Sequence, residues 1–426
     1  MTASIPESRS PTASEGRVLV YTSAALNYLP KVRILFRSLR RHHPDWRLHL
    51  LLAESTATGL HIATEPIDVV VPIADLSIAD WAPWAFCHTL TELATAIKPF
   101  MLQSLLSTAE EGDKIIYLDP DIAVFSTLQD IIDALDDAAI VLTPHQTSAE
   151  TTLAAVVDNE ICSLKHGIYN LGFIGVRCSA VGRDFARWWS DRCYYFCRDD
   201  IRQGLFTDQR WIDLVPALFD DVRVLRNSRF NLATWNITTR VLLQDADGNF
   251  SVDGAPLGFY HFTGFDSGAH RIMALKNGFG NAPLEAIISW YEQQLRASER
   301  KPMPEWTLAR YNNHELIKPE HRELYRFRVD LQQAFPNPYD ADGYLRWWKA
   351  HGEASRHAYQ RKRQENNFYL TAGYLSPARS ECKTASLITP FQPQRQRWGS
   401  IATVLRQSWR LLRNNGWRHV ITRLKR

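Results

Sequence analysis

One segment constrains the fold of this chain more than any other, the apolar run Lys114-Ile115-Ile116-Tyr117-Leu118 followed directly by Asp119-Pro120-Asp121. A short apolar run bounded by turn residues predicts a buried β-strand. An Asp-X-Asp by itself is also typical of a turn or a helix cap. Because this pair follows a buried strand, we interpret it instead as two carboxylates that can hold a divalent cation at the edge of a sheet.

Apolar runs and helical patterns alternate before that segment. Strands are predicted at 17–22, 46–53 and 67–71, and Val32, Leu35, Phe36 and Leu39 follow the i, i+3, i+4, i+7 spacing of a helix. Alternation of this kind predicts an α/β fold, with a mixed, mostly parallel sheet flanked by helices. In such sheets ligands bind outside the carboxyl ends of the strands, which is where Tyr21, Thr22 and the carboxylate pair fall.

Composition sets further bounds. The 426 residues, 45% hydrophobic and 22% charged, can bury a large core. The six cysteines show no paired metal-ligand spacing and are expected to be reduced. Residues 1–16 lack the apolar stretch of a secretory signal and are expected to form a disordered leader. No segment has the roughly 18 to 20 apolar residues of a membrane span, so we expect a cytoplasmic protein.

The end of the chain differs in charge from the rest. No acidic residue follows Glu381, whereas ten basic residues do. A helical accessory region is predicted at 284–375, a linker at 376–396 and a basic amphipathic helix at 397–426. The last of these suits an anionic membrane surface, such as the inner face of the cell membrane, or alternatively packs on the protein or on a second copy. We expect no nucleic-acid partner, because no recognised binding motif accompanies the charge.

Further motifs follow the carboxylate pair in order. They are Asn170-Leu171-Gly172, Asp208-Gln209 and His261-Phe262-Thr263-Gly264. Asp119, Asp121 and His261 together supply ligands that suit manganese, which accepts an imidazole as well as oxygen, whereas magnesium prefers oxygen. Glycine at position 264 lets backbone approach a phosphate.

As an ordered set, these motifs resemble those of retaining GT-A glycosyltransferases of family eight, which includes glycogenins and bacterial lipopolysaccharide hexosyltransferases. The resemblance covers about residues 17–276 and implies a GT-A catalytic domain, assigned to 17–283. It implies that Asp119, Asp121 and His261 bind Mn²⁺, or Mg²⁺, and that Asp119 also lies near the donor ribose. Tyr21 and Thr22 would line a uracil pocket, so the donor would be a UDP-sugar.

The same resemblance implies the remaining roles. Lys98 and Gly264 would contact the donor, and Asn170 with Asp208 would hold its hexose. Gln209 would lie beside the anomeric carbon during front-face attack. The family often carries a lysine for the diphosphate where this chain has Phe265-Asp266-Ser267-Gly268. Arg271 or Lys276 would take the place of that lysine.

Structural alternatives stay open for several of these residues. Lys98 is alternatively a solvated lysine near a helix end, Asn170 a turn residue, Asp208 a helix N-cap and His261 a packed side chain. His145, Trp235 and Asn236 are candidates for the acceptor side or for structural roles.

The functional expectation is a metal-dependent, UDP-sugar-dependent hexosyltransferase. It would act, with retention, on a polysaccharide, a lipopolysaccharide or another glycan acceptor, including a lipid-linked one, and would be peripheral at the membrane. The alternative is a catalytically inactive scaffold that binds sugar nucleotides at the membrane. A nucleotidyltransferase ranks last, because Ala24-Ala25-Leu26-Asn27 lacks a glycine-rich, basic phosphate loop.

Overall fold

The computed structural model describes residues 16–299 and 305–365. The chain divides after Ser376 into two units, and the described residues all lie in the first. The predicted leader, apart from Gly16, the linker at 376–396 and the basic helix at 397–426 therefore lie outside the described residues. The membrane-surface contact expected of that helix stays a prediction.

Fourteen strands are present in the described residues. They are β1 Val18–Ala24, β2 Arg47–Leu52, β3 Val69–Pro72, β4 Lys114–Leu118, β5 Ile122–Val124, β6 Ile140–Pro144, β7 Tyr169–Arg177, β8 Asp199–Asp200, β9 Leu205–Phe206, β10 Val222–Val224, β11 Leu242–Gln244, β12 Phe250–Val252, β13 Ala255–Pro256 and β14 Phe259–His261.

Fifteen α-helices accompany them in the same described residues, with short 3₁₀ and π turns between some of them. They are α1 Leu29–His42, α2 Trp81–Phe86, α3 Leu90–Ala96, α4 Lys98–Thr108, α5 Gln129–Asp137, α6 Leu153–Ala155, α7 Ile161–His166, α8 Ala180–Phe196, α9 Gln209–Ile212, α10 Val215–Leu218, α11 Ala269–Asn277, α12 Ala282–Ser298, α13 Pro319–Phe327, α14 Val329–Ala334 and α15 Arg346–Glu365.

The central sheet has seven strands in the order β10-β6-β7-β4-β1-β2-β3. All neighbours pair in parallel except β7, which runs antiparallel to both β4 and β6. The predicted fold class, a mixed and mostly parallel sheet flanked by helices, is confirmed. Because β7 is reversed, its first residues lie at the same edge as the last residues of β1, β4 and β6.

Alternating side chains along the strands bury opposite faces of the sheet. Leu19 and Tyr21 of β1 pack into one apolar cluster, whereas Val20 and Ala24 pack into another on the opposite face. Helices α3, α4 and α8 cover the first face, and α1 and α5 cover the second. The four α1 side chains that the sequence spacing singled out are all buried in the second cluster: Val32, Leu35, Phe36 and Leu39.

Beyond the central sheet, β11, β12 and β13 form a small antiparallel sheet. Its turns contain the two Asp-Gly pairs that the sequence marks as turn signals. Gly248 has φ +86°, and Asp253 and Gly254 have φ +50° and +85°. Positive φ at both Asp253 and Gly254 is the geometry of a tight hairpin turn, and in the longer turn only Gly248 has the positive φ that favours glycine.

Helix α12 begins at Ala282 and crosses the predicted start of the accessory region at 284. Its buried residues Leu284, Ile287 and Tyr291 pack in one cluster with Tyr260 and Phe262. The Tyr291 ring stacks on Phe262 with ring centroids 3.7 Å apart. This helix thus packs directly beneath the segment that carries His261, and the boundary at 283 remains a prediction.

Helices α13, α14 and α15 pack around their own aromatic cluster, which also includes Phe86 and Cys87 of the α2 segment. The five cysteines that lie in described residues form no disulfide with one another. No helix in the described ranges has the length and apolar character required to span a bilayer.

A buried ion pair links these C-terminal helices to α3. Two guanidinium nitrogens of Arg326, on α13, donate to the carboxylate of Glu92, and both side chains are about 10% exposed (11% and 10%). Burial favours the neutral form of Glu92, but the charge and hydrogen bonds of Arg326 outweigh it and lower the pKa to about 2. The Glu92 side chain also accepts from the backbone of Thr89 in a capping box at the start of α3.

We expect Arg326→Met to lower the free energy of unfolding by about 3 to 5 kcal/mol at pH 7, because it leaves the Glu92 carboxylate buried without its partner. In the wild type, the contribution of a carboxylate with a depressed pKa is present above its ordinary value of 4.5 and is lost as the pH falls toward 2. The difference between variant and wild type should therefore shrink over that range. Urea unfolding at several pH values measures it.

Arg328→Met is the matched control, because Arg328 pairs with Asp330 at the surface, where the two side chains are 33% and 62% exposed. That variant should lose less than about 1 kcal/mol. Equal losses in the two variants would show that the Glu92 pair does not anchor α13.

Candidate functional site

The reversed strand β7 gathers polar residues at one edge of the sheet. Asp119 follows the end of β4, His145 follows the end of β6, and Asn170 lies at the start of β7. The backbone N–H of Asp119 donates to Gly172 O of β7 at 2.8 Å. The sequence-distant motifs therefore meet at one place, as their order predicts.

A second pairing brings His261 to the carboxylates. Strand β5 begins directly after Asp121 and pairs antiparallel with β14, which sets His261 opposite Ile122. The backbone N–H of Phe262 donates to Asp121 O at 2.8 Å, which extends the ladder to the motif itself. Position 261 is thereby fixed by main-chain hydrogen bonds.

Asp119, Asp121 and His261 form a group that can hold a metal ion. One ligand atom from each lies within 4.8 Å of the others. His261 Nε2 is 3.1 Å from Asp121 Oδ1 and 3.7 Å from Asp119 Oδ2. Two carboxylates and one imidazole are a donor set that suits Mn²⁺, so a divalent cation fits these residues.

Charges within this group support the ionised state of Asp121. Burial acts to raise the pKa of Asp121, but the neighbouring His261 holds it below its ordinary value. For His261, burial acts to lower the pKa, and the two carboxylates reverse that and raise it. A cation bound here would compete with the imidazole proton.

The two oxygens of Asp119 have different neighbours. Its Oδ1 accepts a hydrogen bond from the Tyr117 hydroxyl and lies 3.2 Å from Lys98 Nζ. Its Oδ2 is the oxygen nearer to His261. Tyr117 lies in β4, two residues before Asp119, a spacing that favours the same side of an extended chain. The sequence interpretation missed this signal for Tyr117.

Lys98 is buried, which excludes the alternative of a solvated lysine. Its Nζ lies between Asp119 and Asp208, 3.3 Å from Asp208 Oδ2, and donates to Leu171 O at 3.3 Å. The ammonium also lies over the Tyr117 ring, 4.3 Å from the centroid. Burial acts to lower the pKa of Lys98, but the two carboxylates raise it, so the lysine is charged.

Asp208 precedes α9, but its side chain makes no capping hydrogen bond to that helix. Its Oδ1 accepts from the Thr207 hydroxyl at 3.1 Å. Burial raises the pKa of Asp208 to about 6, despite the opposing effect of Lys98. Thr207 has φ +45°, an uncommon conformation for a β-branched residue that is typical of functional sites.

Gln209 is fixed by backbone groups at both ends of its amide. Its Oε1 accepts from the N–H of Leu171 at 2.9 Å, and its Nε2 donates to His166 O at 3.0 Å. The side chain lines a cavity next to the metal-capable group. Its predicted place beside the anomeric carbon stays a prediction.

Asn170 lies within β7, not in a turn, and accepts from His261 Nδ1 at 3.1 Å through Oδ1. The same oxygen accepts from the Gly172 N–H at 3.1 Å. A Cβ at position 172 would lie 2.4 Å from His261 Cε1 and 2.7 Å from Asn170 Oδ1. Only glycine lets this strand approach the imidazole so closely.

Two spaces meet at this group. A cleft of about 170 Å³ and a cavity of about 320 Å³ share Thr91, Thr95, Lys98 and Asp119. The cleft is otherwise lined by Ser23, Ala24, Ala25, Tyr28, Leu90, Ala94, Tyr117, Pro120 and Asp121. The cavity is otherwise lined by His145, Asn159, Cys162, Ser163, His166, Asn170, Leu171, Phe206, Thr207, Asp208, Gln209, Trp235, His261 and Thr263.

Tyr21 and Thr22 lie behind the cleft wall. Tyr21 is 1% exposed and donates through its hydroxyl to Lys98 O at 3.1 Å, and Thr22 is fully buried. Their neighbours Ser23 to Ala25, with Tyr28, line the cleft instead. The structure thus places Tyr21 and Thr22 beneath the lining, and their contact with a nucleobase stays a prediction.

Gly264 has φ +70°, which glycine adopts without strain, and its carbonyl accepts from His270 N at 3.1 Å. Arg271 and Lys276 further along α11 pair with Glu285 and Asp158.

Sequence reasoning missed a basic residue whose charge acts on Asp121, Lys31 of α1. Its Nζ lies 2.6 Å from Asp266 Oδ2, and its charge helps to lower the pKa of Asp121.

Comparisons with known proteins return no matching family model. Two curated relatives are the uncharacterized proteins YfnF and YfnD of Bacillus subtilis (strain 168). YfnF is 27% identical over 253 residues, which span 57% of this chain and 82% of YfnF. YfnD is 26% identical over 248 residues, which span 57% of this chain and 76% of YfnD.

Solved structures similar to this chain are glycosyltransferases. The galactosyltransferase LgtC, solved with donor and acceptor sugar analogues, has a TM-score of 0.37 at 16% identity, covering 67% of this chain and 97% of LgtC. Mouse xyloside xylosyltransferase 1 has 0.35 at 16%, covering 58% and 98%. GlyE of Streptococcus pneumoniae TIGR4 has 0.36 at 13%, covering 66% and 64%. Because all three TM-scores are below 0.4, the function of this chain is argued from its own site residues.

We expect Gly172→Ala to destabilise the protein by about 1 to 3 kcal/mol, because the added methyl overlaps the His261 ring. It should also abolish any rise in melting temperature that Mn²⁺ produces in the wild type. Thermal unfolding with and without Mn²⁺ measures both effects.

Gly175→Ala in the same strand is the control, since the nearest atoms to its Cβ would belong to the flexible Leu135 side chain, at 3.1 Å and beyond. That variant should retain the Mn²⁺ response. If Gly172→Ala also retained it, the close approach of β7 would not matter for the site.

Proposed function

We propose that this chain is a metal-dependent glycosyltransferase of the retaining GT-A type that transfers a hexose from a UDP-sugar to a glycan acceptor. The observation that carries the proposal is the Asp119, Asp121 and His261 group at the edge of the sheet, where a cleft and a cavity meet. Two adjoining spaces on either side of a cation site suit a donor and an acceptor that must react with one another.

The cofactor in this proposal is Mn²⁺ or Mg²⁺, held by Asp119, Asp121 and His261. When bound, such a cation neutralises the negative charge that develops on a diphosphate leaving group. The donor set fits Mn²⁺ better, because one of its three members is an imidazole nitrogen.

The cleft fits the nucleotide part of the donor. Its walls are the end of β1 and the first turns of α3, and Tyr28 and Tyr117 contribute aromatic surface. Lys31 lies beside this cleft, where its ammonium faces Asp266 and stacks over the Tyr28 ring at 4.4 Å. A phosphate oxygen could replace the exposed Asp266 carboxylate as its partner.

The larger cavity fits the hexose and the acceptor. Asp208 lines this cavity beside Lys98, which the two spaces share. A carboxyl group with a pKa of about 6 can accept or donate a hydrogen bond to a sugar hydroxyl near neutral pH. Lys98 keeps one oxygen of Asp119 occupied, which leaves the other toward His261. Gln209 of α9 accepts from Leu171 of β7 and donates to His166 of α7, and so connects three elements of the cavity wall.

In the proposed reaction the bond between the anomeric carbon and the diphosphate oxygen breaks. A bond from the acceptor hydroxyl oxygen to the same carbon forms on the same face, and the hydroxyl proton leaves with the departing phosphate. The glycan acceptor is a polysaccharide, a lipopolysaccharide or another glycan, and the peripheral membrane location expected from residues 397–426 belongs to this proposal.

We expect purified protein to turn over one UDP-sugar in a panel of UDP-, GDP- and ADP-sugars, and chelation to stop it. Asp121→Asn and His261→Ala should each lower kcat/KM at least about 100-fold, since a Lewis-acid contribution of several kcal/mol is lost and 1.36 kcal/mol corresponds to tenfold. Release of UDP, with and without an acceptor extract, is the measurement.

Asp133→Asn serves as the control, because Asp133 is an exposed residue of α5 whose carboxylate accepts only from Gln129 among the described contacts. It should keep full activity. Full activity in the Asp121 and His261 variants would refute the metal site. Metal-dependent binding of UDP-sugar without turnover on any acceptor would favour a sugar-nucleotide-binding scaffold.

A further inference from the structure

A row of hydrogen bonds extends from His261 away from the carboxylates. His261 Nδ1 lies 3.1 Å from Asn170 Oδ1, Asn170 Nδ2 lies 3.1 Å from His145 Nε2, and His145 Nδ1 lies 3.3 Å from Ile168 O. His261 and Asn170 are buried, and His145 is partly buried. The row therefore connects the metal-capable group to the backbone just before β7.

Backbone groups at two points fix which atoms carry the protons in this row. The Gly172 N–H can only donate, so the Asn170 atom that it contacts at 3.1 Å is the carbonyl oxygen. That orientation turns the Asn170 NH₂ toward His145, whose Nε2 must then accept. The Ile168 carbonyl can only accept, so His145 carries its proton on Nδ1, which agrees with the first assignment.

The consequence reaches His261. Because Asn170 Oδ1 can only accept, the proton of a neutral His261 ring lies on Nδ1. Its Nε2 lone pair then faces Asp121 Oδ1 at 3.1 Å and Asp119 Oδ2 at 3.7 Å. This is the tautomer and the ring orientation that a metal ligand needs.

Packing holds the same row in place. The Trp235 ring lies edge-on to both imidazoles, with centroids 5.5 Å from His145 and 5.4 Å from His261. Asn236 Nδ2 donates to the His145 carbonyl at 3.0 Å, which fixes the backbone at that position. With no Cβ at Gly172, the Asn170 amide and the His261 ring can lie side by side.

We propose that Asn170 and His145 are positioning residues for the metal site, which hold His261 with its Nε2 directed at Asp119 and Asp121. The inference rests on the proposed function, because it requires that these three residues bind a cation. It assigns the Asn170 carbonyl oxygen to the metal ligand, since that oxygen already accepts from His261 Nδ1 and from the Gly172 N–H.

The test is the Mn²⁺ affinity of the full chain, measured from the electron paramagnetic resonance signal of free Mn²⁺ without any sugar nucleotide. Asn170→Leu removes all three hydrogen bonds of the amide, to His261, Gly172 and His145. His145→Phe removes the acceptor of the Asn170 NH₂ while it keeps a ring beside Trp235. Both should weaken Mn²⁺ binding about 10- to 100-fold, the usual effect of losing a group that orients a metal ligand. His145→Gln restores an acceptor and should bind within a few-fold of the wild type.

Asn227→Leu is the matched control. Asn227 also accepts a backbone N–H through Oδ1, from Arg229 at 3.2 Å, and donates through Nδ2, to Asp130 at 3.0 Å, but it lies at the surface away from the site. Its Mn²⁺ affinity should match the wild type. Circular dichroism melting of every variant shows which of them fold.

The outcomes separate the two proposals. If the wild type binds Mn²⁺ and a folded Asn170→Leu binds it equally well, the positioning role is overturned and the metal site stands. If Asn170→Leu does not fold, His145→Phe decides in the same way. A folded His145→Gln as weak as His145→Phe, or an equal loss in Asn227→Leu, would also overturn the positioning role. If the wild type binds no Mn²⁺, both proposals fail.

Discussion

The site depends above all on the reversal of β7 between β4 and β6. In a sheet of parallel strands only carboxyl ends would meet at this edge, and each would contribute a turn. The antiparallel strand instead brings its own start to the edge, so that Asn170 reaches the site from a strand and not from a loop. The pairing with β6 shifts register there, between Leu142 and Pro144. The backbone of the segment is still held from both sides, because the Asp119 N–H donates to Gly172 O and the His145 N–H donates to Ile168 O.

Charge is the second constraint, because the site buries several ionisable groups in a small volume. Asp119, Asp121 and Asp208 share it with the cations Lys98 and, when protonated, His261. Burying a charge without a partner costs folding free energy, and here each carboxylate is paired with at least one cationic or hydrogen-bond donor group. The raised pKa of Asp208, whose value of about 6 reflects its burial, shows that this compensation is incomplete at one position.

The sequence predicts the parts of this structure that depend on local pattern. Strand and helix periodicity gives the alternating architecture, and the order of short motifs gives the metal-capable group. Contacts that depend on tertiary placement are not encoded in such patterns. Lys31 of α1 pairs with Asp266 in the segment after β14. The Tyr21 hydroxyl, beneath the cleft, donates to the carbonyl of Lys98 at the start of α4. The amide of Gln209 is likewise engaged by backbone that no motif includes.

Helix α3 has two dissimilar neighbours. Glu92 is bound by Arg326 of α13, whereas Thr91 and Thr95 of the same short helix line both the cleft and the cavity. Among the described residues, α13 therefore supports α3, which forms a wall of the cleft and the cavity, while no residue of α13, α14 or α15 lines either space. A displacement of α13 that moves α3 alters the shape of that wall, and by thermodynamic reciprocity a ligand that favours one position of α3 favours the matching position of α13. Substitutions in α13, far from the carboxylates, can therefore change ligand affinity by changing the position of α3.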